Sequence, residues 1–500
     1  MSLNMEVCVI GLSSRRLQEI GRRDFLAGAS FINGEWKVSH DQKEVIDPAT
    51  DEVIASVGQC STSDMDRAID AAQTALPSWT ALLPQKRGAL LRKWACLLHA
   101  HMGDLAAIIT CEQGKPLAEA RGEIAYAAAF IDWFAAEGER AYGETIPSHK
   151  TASQLAVRMQ PVGVVGIVTP WNFPTAMITR KAAAALAAGC PVIVKPACET
   201  PLSALALARL AEEAGLPSSV FQVVCGPPAP LVKLLLDDTR VRALSFTGST
   251  TIGRLLLAEA GHTVKRVSME LGGLAPFIVF DDVDVDFAVR GAMEAKFATS
   301  GQDCLAANRI YVHRSLYEAF VQKLGTAIAA LQVGHGLSDT TDIGPMTVPS
   351  VVTKCQSQIA DALERGARLV HGDQSRRPAP GFVMPTLLAD VSDDMLIAQE
   401  ETFGPVAAVL PFDTEAEVIT RANRTEMGLA AYVYTDGLRR SLRVTEALEF
   451  GMVAVNTASF TGAPIPFGGW KQSGLGREGA RQGLTEFMEA KYLCFGNLND

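Results

Sequence analysis

The chain has 500 residues, 48% of them apolar and 20% charged, and its 42 Gly and 25 Pro are close to ordinary globular usage. That length excludes a peptide or a lone small module and admits roughly two to four domains, while the composition excludes disorder and collagen-like repeats. A net charge of −10 repels phosphate backbones, so nucleic acid is not an expected partner.

Residues 1–25 carry a weak apolar run followed by Ser13-Ser14-Arg15-Arg16, with the charges on the wrong side for a secretory signal, and are expected to form a poorly ordered extension. Residues 28–57 alternate apolar and polar positions around Asn33-Gly34 and Asp47-Pro48, which predicts short antiparallel strands with tight turns. From Ser63 to Tyr142 apolar positions recur three and four apart, predicting three long helices, the first capped by Ser63 and another opening near Pro84. Residues 143–160 are polar and extended, an arm or linker. Between 162 and 280, β-rich apolar runs (VGVVGIVT, PVIVK, VFQVV, RALSF, PFIVF) alternate with helical stretches at 177–188, 201–214, 229–237 and 251–260, the pattern of a mostly parallel sheet. The second half repeats the rhythm: strand 309–312, helices 315–331 and 348–365, strand GPVAAVLPF, helix 414–424, strand AAYVYT, helix 437–448 and strand MVAVN. The fold class is therefore α/β with two parallel-sheet domains, and no fixed-period repeat points to a solenoid or propeller.

The ten cysteines are scattered, with no close CxxC pair, which reads as reduced thiols in a cytoplasmic setting. No run of about 18 apolar residues suggests a membrane span. The histidines show no metal-ligand spacing, so no metal is expected.

Parallel sheets bind ligands beyond the carboxyl ends of their strands, so the loops after the apolar runs carry the candidates. After VGVVGIV comes Thr169-Pro170-Trp171-Asn172-Phe173-Pro174, one amide held between prolines and aromatics. After VIV comes Lys195-Pro196-Ala197-Cys198-Glu199, a cation at a strand end. After RALSF comes Thr247-Gly248-Ser249-Thr250, small residues opening a helix whose amides suit a phosphate. Gly301-Gln302-Asp303-Cys304 follows residues 297–300. Singly, each has a plain alternative: a helix cap, a turn residue, a surface carboxylate at Glu270, a small buried thiol.

Their order changes the reading. Trp171-Asn172-Phe173-Pro174, Lys195-Pro196-Ala197, Phe246-Thr247-Gly248-Ser249-Thr250, Glu270-Leu271-Gly272-Gly273, Gly301-Gln302-Asp303-Cys304, Glu401-Thr402-Phe403-Gly404-Pro405 and Pro466-Phe467-Gly468-Gly469 occur in one series. The series resembles the aldehyde dehydrogenase superfamily from about Phe31 to the end of the chain. Within it the chain looks most like the succinate-semialdehyde dehydrogenases, through Met177-Ile178-Thr179-Arg180-Lys181 and the stretches 267–277 and 471–479.

A thiolate suits an aldehyde, because it adds reversibly to give a hemithioacetal that can lose hydride to a nicotinamide. The resemblance makes Cys304 that nucleophile. It assigns the oxyanion to the Asn172 side chain and the Cys304 amide, thioester hydrolysis to Glu270 as base, and outward proton transfer to Lys181 and Glu478. For the cofactor it places Lys195 and Glu401 on the ribose hydroxyls, Phe403 beside the nicotinamide ribose and Ser249 with its helix on the pyrophosphate. Thr169, Pro170, Trp171, Thr247, Gly248 and Leu271 belong to the same cofactor surface. A literal G-x-G-x-x-G at 474–479 follows Lys471-Gln472-Ser473 rather than a strand and is a decoy. Cys198 stands where NAD-preferring relatives often carry a carboxylate, so the resemblance leans to NADP over NAD, with Glu199 next door able to turn inward.

In the succinate-semialdehyde group two arginines and a hydroxyl hold the far carboxylate of the substrate. Arg180 and Thr461 stand at two of these positions, and the third, six residues before the nucleophile, is Ala298. The expected substrate is succinate semialdehyde, with glutarate semialdehyde or broader aldehyde use as alternatives. For Arg180 itself the plain alternative is a helix residue paired with a surface carboxylate. Relatives often carry a second cysteine two residues after the nucleophile; Cys304-Leu305-Ala306 lacks it, so no regulatory disulfide is expected. Two other classes compete: a cofactor-independent thiol esterase, which lacks a histidine partner for Cys304, and a non-catalytic role, against which the intact set of Asn172, Glu270, Cys304 and Glu401 argues. The resemblance implies a cofactor domain at 25–141 and 160–269, a catalytic domain at 270–480, and an oligomerisation arm at 142–159 and 481–500. The apolar tail 489–495 predicts a homodimer or homotetramer.

Overall fold

The computed structural model describes residues 12–498. Asn33 and Gly34, both at positive φ (51° and 82°), close a hairpin of Ser30–Ile32 and Glu35–Lys37 in which Phe31 faces Trp36. A second hairpin pairs Gln42–Ile46 with Val53–Gly58. Then come four helices rather than the expected three: Thr62–Ala81, Pro84–Ala100, Met102–Gln113 and Leu117–Glu137. The extra break falls at His101 (φ −108°, ψ 19°), where neither proline nor glycine announces it. Ser61, not Ser63, caps the first helix, its amide donating to Asp64 at 2.9 Å, whereas Pro84 does open the second helix.

The first large sheet has eight strands. Five central ones run parallel in the order Phe221–Val223, Val192–Lys195, Val164–Val168, Val241–Thr247 and Arg266–Glu270. The Ser30–Lys37 hairpin extends one edge, and Gly474–Leu475 pairs antiparallel on the other. The second sheet has seven strands, six of them parallel: Thr386–Ala389, Val406–Phe412, Ala307–His313, Ala275–Val279, Ala430–Tyr434 and Met452–Val455. Arg368–His371 adds an antiparallel edge. These central strands are buried on both faces, as their unbroken Val/Ile/Leu runs require. The α/β architecture is the one the sequence predicts.

A separate three-stranded sheet joins Glu144–Ile146, Gln154–Pro161 and Met488–Phe495, the last two in register over their whole length. The intervening helix Ala480–Thr485 lies on the first body instead, against Leu117–Glu137 and Ala176–Ala188. Of the expected N-terminal extension, residues 1–11, with Cys8, lie outside the described residues. The remainder is ordered structure, not loose chain: Leu12–Glu19 is helical, and Leu17 and Ile20 are buried in the first core. Among the described residues no single helix is long and apolar enough to cross a membrane; Pro84–Ala100 and Met102–Gln113 qualify only as a pair bent by 72° whose apolar side chains line the core.

Candidate active site

Cys304 follows the helix Val285–Phe297, which Asp284 caps by accepting from the Phe287 amide. The turn between them holds Thr299 and Ser300 at positive φ (51° and 56°), a conformation costly for residues with a Cβ. Specific bonds hold that strain. The Thr299 amide donates to the Glu119 carboxyl at 2.9 Å, and the Gly344 amide donates to Ser300 Oγ at 2.9 Å. Gln302 Oε1 accepts from the Thr347 amide, and a Cβ on Gly301 would lie 2.4 Å from the Gly404 carbonyl oxygen. From the other side, a Cβ on Gly273 would lie 2.4 Å from the Cys304 carbonyl oxygen. The Cys304 loop is thus clamped from several elements.

Asn172, buried in the turn after Val164–Val168, donates through Nδ2 to the Gln302 carbonyl at 3.0 Å. That bond uses one of its two N–H groups and fixes the amide beside the nucleophile loop, leaving the other for an oxyanion. Cys304 is half-buried; burial, then the Asp303 and Glu401 carboxylates, push its thiol well above the ordinary range, while Arg180 pulls it down.

Glu270 ends the strand Arg266–Glu270 and is 2% exposed, which removes the surface-carboxylate reading. Neither carboxyl oxygen has a hydrogen-bond partner among the described residues. Burial first, and Glu478 second, raise it well above the usual carboxylate range, the condition of a general base that takes a proton readily once ionised. Gly474–Leu475 pairs with Met269 and Glu270, so the glycine-rich 474–479 stretch is the sheet edge beside Glu270 and not a phosphate loop.

Behind Glu270 lies a buried ionic cluster. Arg180 and Lys181, successive residues of the helix Ala176–Ala188, both pair with Glu478. Burial alone would raise Glu478, but the two cations hold it low. Its backbone is locked by reciprocal bonds with Phe467, each 2.8 Å, and the Arg180 guanidinium lies 4.1 Å from the Phe467 ring centre. The helix starts where it does because Glu123, itself paired with Lys115 at 2.7 Å, accepts from the Thr175 and Ala176 amides. The alternative reading of Arg180, a helix residue paired with a surface carboxylate, is not what the structure has: its partner Glu478 is buried, within the same cluster as Cys304 and Glu270.

Most of the expected cofactor residues follow strands at the carboxyl edge of the first sheet, whereas Glu401 and Phe403 precede Val406–Phe412 of the second. Lys195 ends its strand, 3% exposed, with Nζ donating to the Pro196 carbonyl at 2.8 Å and lying 3.4 Å from Cys198 Sγ. Pro170 and Trp171 turn the chain after Val164–Val168, and the Trp171 ring meets Phe403 edge-on at 5.4 Å. The Thr169 and Thr247 hydroxyls are buried without partners among the described residues. Ser249 caps Thr250–Ala260 after Gly248, and Leu271 covers that helix so closely that a Cβ on Gly253 would lie 2.3 Å from it. Glu401 accepts from the Gly273 amide at 3.1 Å, and burial pushes its carboxyl up to about 7. A buried lysine, unpartnered hydroxyls and a capped helix start suit a dinucleotide: Lys195 and Glu401 for its riboses, Ser249 and the following amides for its phosphates. Beside Cys198 and Glu199 a cavity of about 540 Å3 opens, walled by Lys43, Met346 and Val352. Thr461 is exposed in the loop after Met452–Val455, next to Phe460, whose ring meets Tyr432 edge-on; the Tyr432 hydroxyl donates to the Leu305 carbonyl at 2.9 Å.

Sequence reasoning singled out neither Glu119 nor Lys296, and Phe467 only as part of the Pro466-Phe467-Gly468-Gly469 motif. Glu119 and Phe467 act through contacts far apart in the chain. Lys296 is buried with Nζ unpartnered among the described residues, and burial pushes it down to about 8; its helix was itself not predicted. Among the described residues no group of three or more His, Cys, Asp or Glu is placed to hold a metal.

Two α/β bodies that bring a thiol, a fixed amide and a buried carboxylate beside a dinucleotide surface define an enzyme of the thiol-dependent oxidoreductase class. The chain belongs to the aldehyde dehydrogenase family, which matches residues 36–493. It is 54% identical to a non-phosphorylating aspartate-semialdehyde dehydrogenase of Halomonas elongata, over 94% of this chain and 96% of that one. It is 50% identical to the NADP(+) succinate-semialdehyde dehydrogenase of Escherichia coli, over 93% of this chain and 97% of that one. The crystal structure of succinate-semialdehyde dehydrogenase from Burkholderia pseudomallei superposes with a TM-score of 0.94 at 48% identity, covering 96% of this chain and 100% of that one.

Proposed function

We propose that the protein oxidises a short carboxylated semialdehyde, with succinate semialdehyde as the parent substrate and glutarate semialdehyde as its next homologue, to the dicarboxylate. The observation that carries this reading is the charge balance behind the nucleophile: two buried cations, Arg180 and Lys181, share one carboxylate, Glu478. The surplus positive charge favours an anionic substrate tail, with Thr461 at the mouth as a further donor. The relatives named above for aspartate and succinate semialdehydes fit an anionic substrate.

Cys304 adds to the aldehyde carbon, and the resulting oxyanion is held by the free Asn172 N–H and the Cys304 amide. When bound, NAD(P)+ supplies the hydride acceptor. Glu270 then takes a proton from the water that attacks the thioester on Cys304, releasing the acid and restoring the thiol. Glu478 and Lys181, in contact behind Glu270, form the outward path for that proton. Lys195 and Lys43 flank Cys198, where a carboxylate is missing, which supports NADP as the preferred cofactor, in line with the cofactor in the name of the Escherichia coli relative. The separate three-stranded sheet leaves Ile146, Tyr492 and Phe495 exposed, supporting a homo-oligomer, a dimer or tetramer, paired through this arm. The nine described cysteines are all free thiols, which supports a cytoplasmic setting.

The test compares kcat/KM for succinate semialdehyde, glutarate semialdehyde and an uncharged aldehyde of matching length, with each cofactor, in wild type and Arg180→Ala. A preference for the anionic aldehydes that collapses in the variant is the expected result. Equal use of the uncharged aldehyde by both proteins overturns the semialdehyde reading.

A further inference from the structure

We propose that Lys115 and Glu123, a buried ion pair outside the chemistry described above, are positioning residues: they hold the turn that carries Asn172 at the spacing from the Cys304 loop that an oxyanion between the two requires. This rests on the reading of Cys304 as nucleophile and Asn172 as oxyanion donor.

Both side chains are 0% exposed, with Lys115 Nζ 2.7 Å from the Glu123 carboxylate. Each grips the chain just beyond Asn172. Lys115 Nζ stands 3.8 Å from the centre of the Phe173 ring, a cation–π contact. Glu123 Oε1 accepts from the Thr175 and Ala176 amides at 2.8 and 3.1 Å. The pair therefore touches three of the four residues that follow Asn172. The other side of the turn is tied through contacts that close into a ring. Asn172 Nδ2 donates to the Gln302 carbonyl at 3.0 Å, and Gln302 Oε1 accepts from the Thr347 amide at 2.9 Å. The Thr347 hydroxyl accepts from Gln113 Nε2 at 3.1 Å and donates to the Gln113 carbonyl at 2.7 Å. Gln113 Oε1 accepts from the Lys115 amide at 2.9 Å, which brings the ring back to the ion pair. Glu119, one helical turn before Glu123 on Leu117–Glu137, ties the same helix to the Cys304 turn by accepting from the Thr299 amide.

Such a ring over-determines the spacing of the two oxyanion donors, the Asn172 side chain and the Cys304 amide. Stability alone does not account for it. A buried ion pair is often no more stable than apolar side chains of the same volume, because two charges must be taken out of water. What this pair supplies, and apolar residues cannot, is direction: one carboxylate accepts from two amides at a helix start while its cation sits over the Phe173 ring, so the turn has a single arrangement. When the aldehyde oxygen gains negative charge, the Asn172 N–H is already in place and nothing has to reorganise.

Acylation of Cys304 by 4-nitrophenyl acetate isolates this step without cofactor. The thiolate adds to the ester carbonyl, whose electron pair moves onto oxygen, and the oxyanion collapses with loss of nitrophenolate, leaving the acetyl group on sulfur. Alkylation of the same thiol by iodoacetamide displaces iodide and forms no oxyanion. Both rates are measured on the intact protein in wild type, Lys115→Met, Asn172→Ala and the combined variant, with Cys304→Ala to subtract the exposed thiols Cys96 and Cys494. Methionine fills the space of the lysine stem and Glu123 keeps its two amide donors, so the fold is expected to survive. Glu123→Asp, which keeps an anion for Lys115 and withdraws it from the amides, is the second variant. Lys115→Met is expected to slow acylation by about ten- to a hundred-fold, the effect of displacing a donor by up to about 1 Å, and to leave alkylation largely unchanged. On the Asn172→Ala background the same change is expected to slow acylation by less than about two-fold, because the donor it positions is gone. Unchanged acylation in Lys115→Met and Glu123→Asp, equal slowing of acylation and alkylation, as a merely structural role would give, or effects that multiply in the combined variant overturns the proposal. If Asn172→Ala itself acylates as fast as wild type, the oxyanion reading fails first, and the positioning role with it.

Discussion

Replacing Glu478 with Gln removes the single anion that Arg180 and Lys181 share, at side chains 2%, 0% and 4% exposed for Arg180, Lys181 and Glu478. Breaking a buried ion pair from one side costs about 3–5 kcal/mol, because the remaining charge stays buried and unmatched. The change also reaches the base. Glu270 is raised by burial first and by Glu478 next, while Arg180 and Lys181 lower it. Without the Glu478 charge, Glu270 ionises at lower pH, and because the proposed base acts when ionised, the acid limb of the kcat profile moves to lower pH. Stability carries its own pH signature. Glu478 is held below its ordinary value in the folded state, so its contribution is present above the usual carboxylate range and is lost as pH falls through the folded value. Urea denaturation at neutral and acid pH, with kcat against pH on succinate semialdehyde, measures both. An acid limb that stays put or moves up, or a stability loss below about 1 kcal/mol at neutral pH, would refute the arrangement of charges described above.

Asn172→Ala is expected to lower kcat by about 10²–10³, the usual effect of losing one oxyanion donor, with a smaller change in KM; steady-state kinetics decide it, and an unchanged kcat contradicts the role. Gly273→Ala places a methyl 2.4 Å from the Cys304 carbonyl oxygen, and the Gly273 amide also holds Glu401. Loss of turnover and weaker cofactor binding are therefore expected together, the second read by titrating protein fluorescence with NADP+.

Much of the fold is legible in the sequence because its buried strands are unbroken β-branched runs and its turns carry Pro or Gly at fixed offsets. Asn33-Gly34, Pro84 and the strand ends at Thr169, Lys195 and Thr247 all fall where those rules place them. Met102–Gln113 was not separated from its neighbour because a helix buried on nearly every side shows no polar face and its break at His101 has no breaker residue. The N-terminal helix is not legible in the sequence because Leu17 and Ile20 owe their burial to helices far away in the chain. The site divides the same way. Cys304, Asn172 and Glu270 announce themselves through residue type and loop position. The ionic cluster, by contrast, joins residues almost 300 positions apart. Lys115 and Glu123 carry no signal of their own in the sequence, since the contacts that tie them to the Asn172 turn are facts of three-dimensional packing.

The central claim, that Cys304 passes through a thioester which Glu270 hydrolyses, is tested most directly by mixing Glu270→Gln with succinate semialdehyde and NADP+ and following cofactor reduction in a stopped flow. The expected result is a burst approaching one reduced cofactor per active site, then a stall, with mass spectrometry of the quenched protein showing the succinyl adduct on the peptide that contains Cys304. Steady turnover at the wild-type rate, or a burst with no adduct on that peptide, would contradict it.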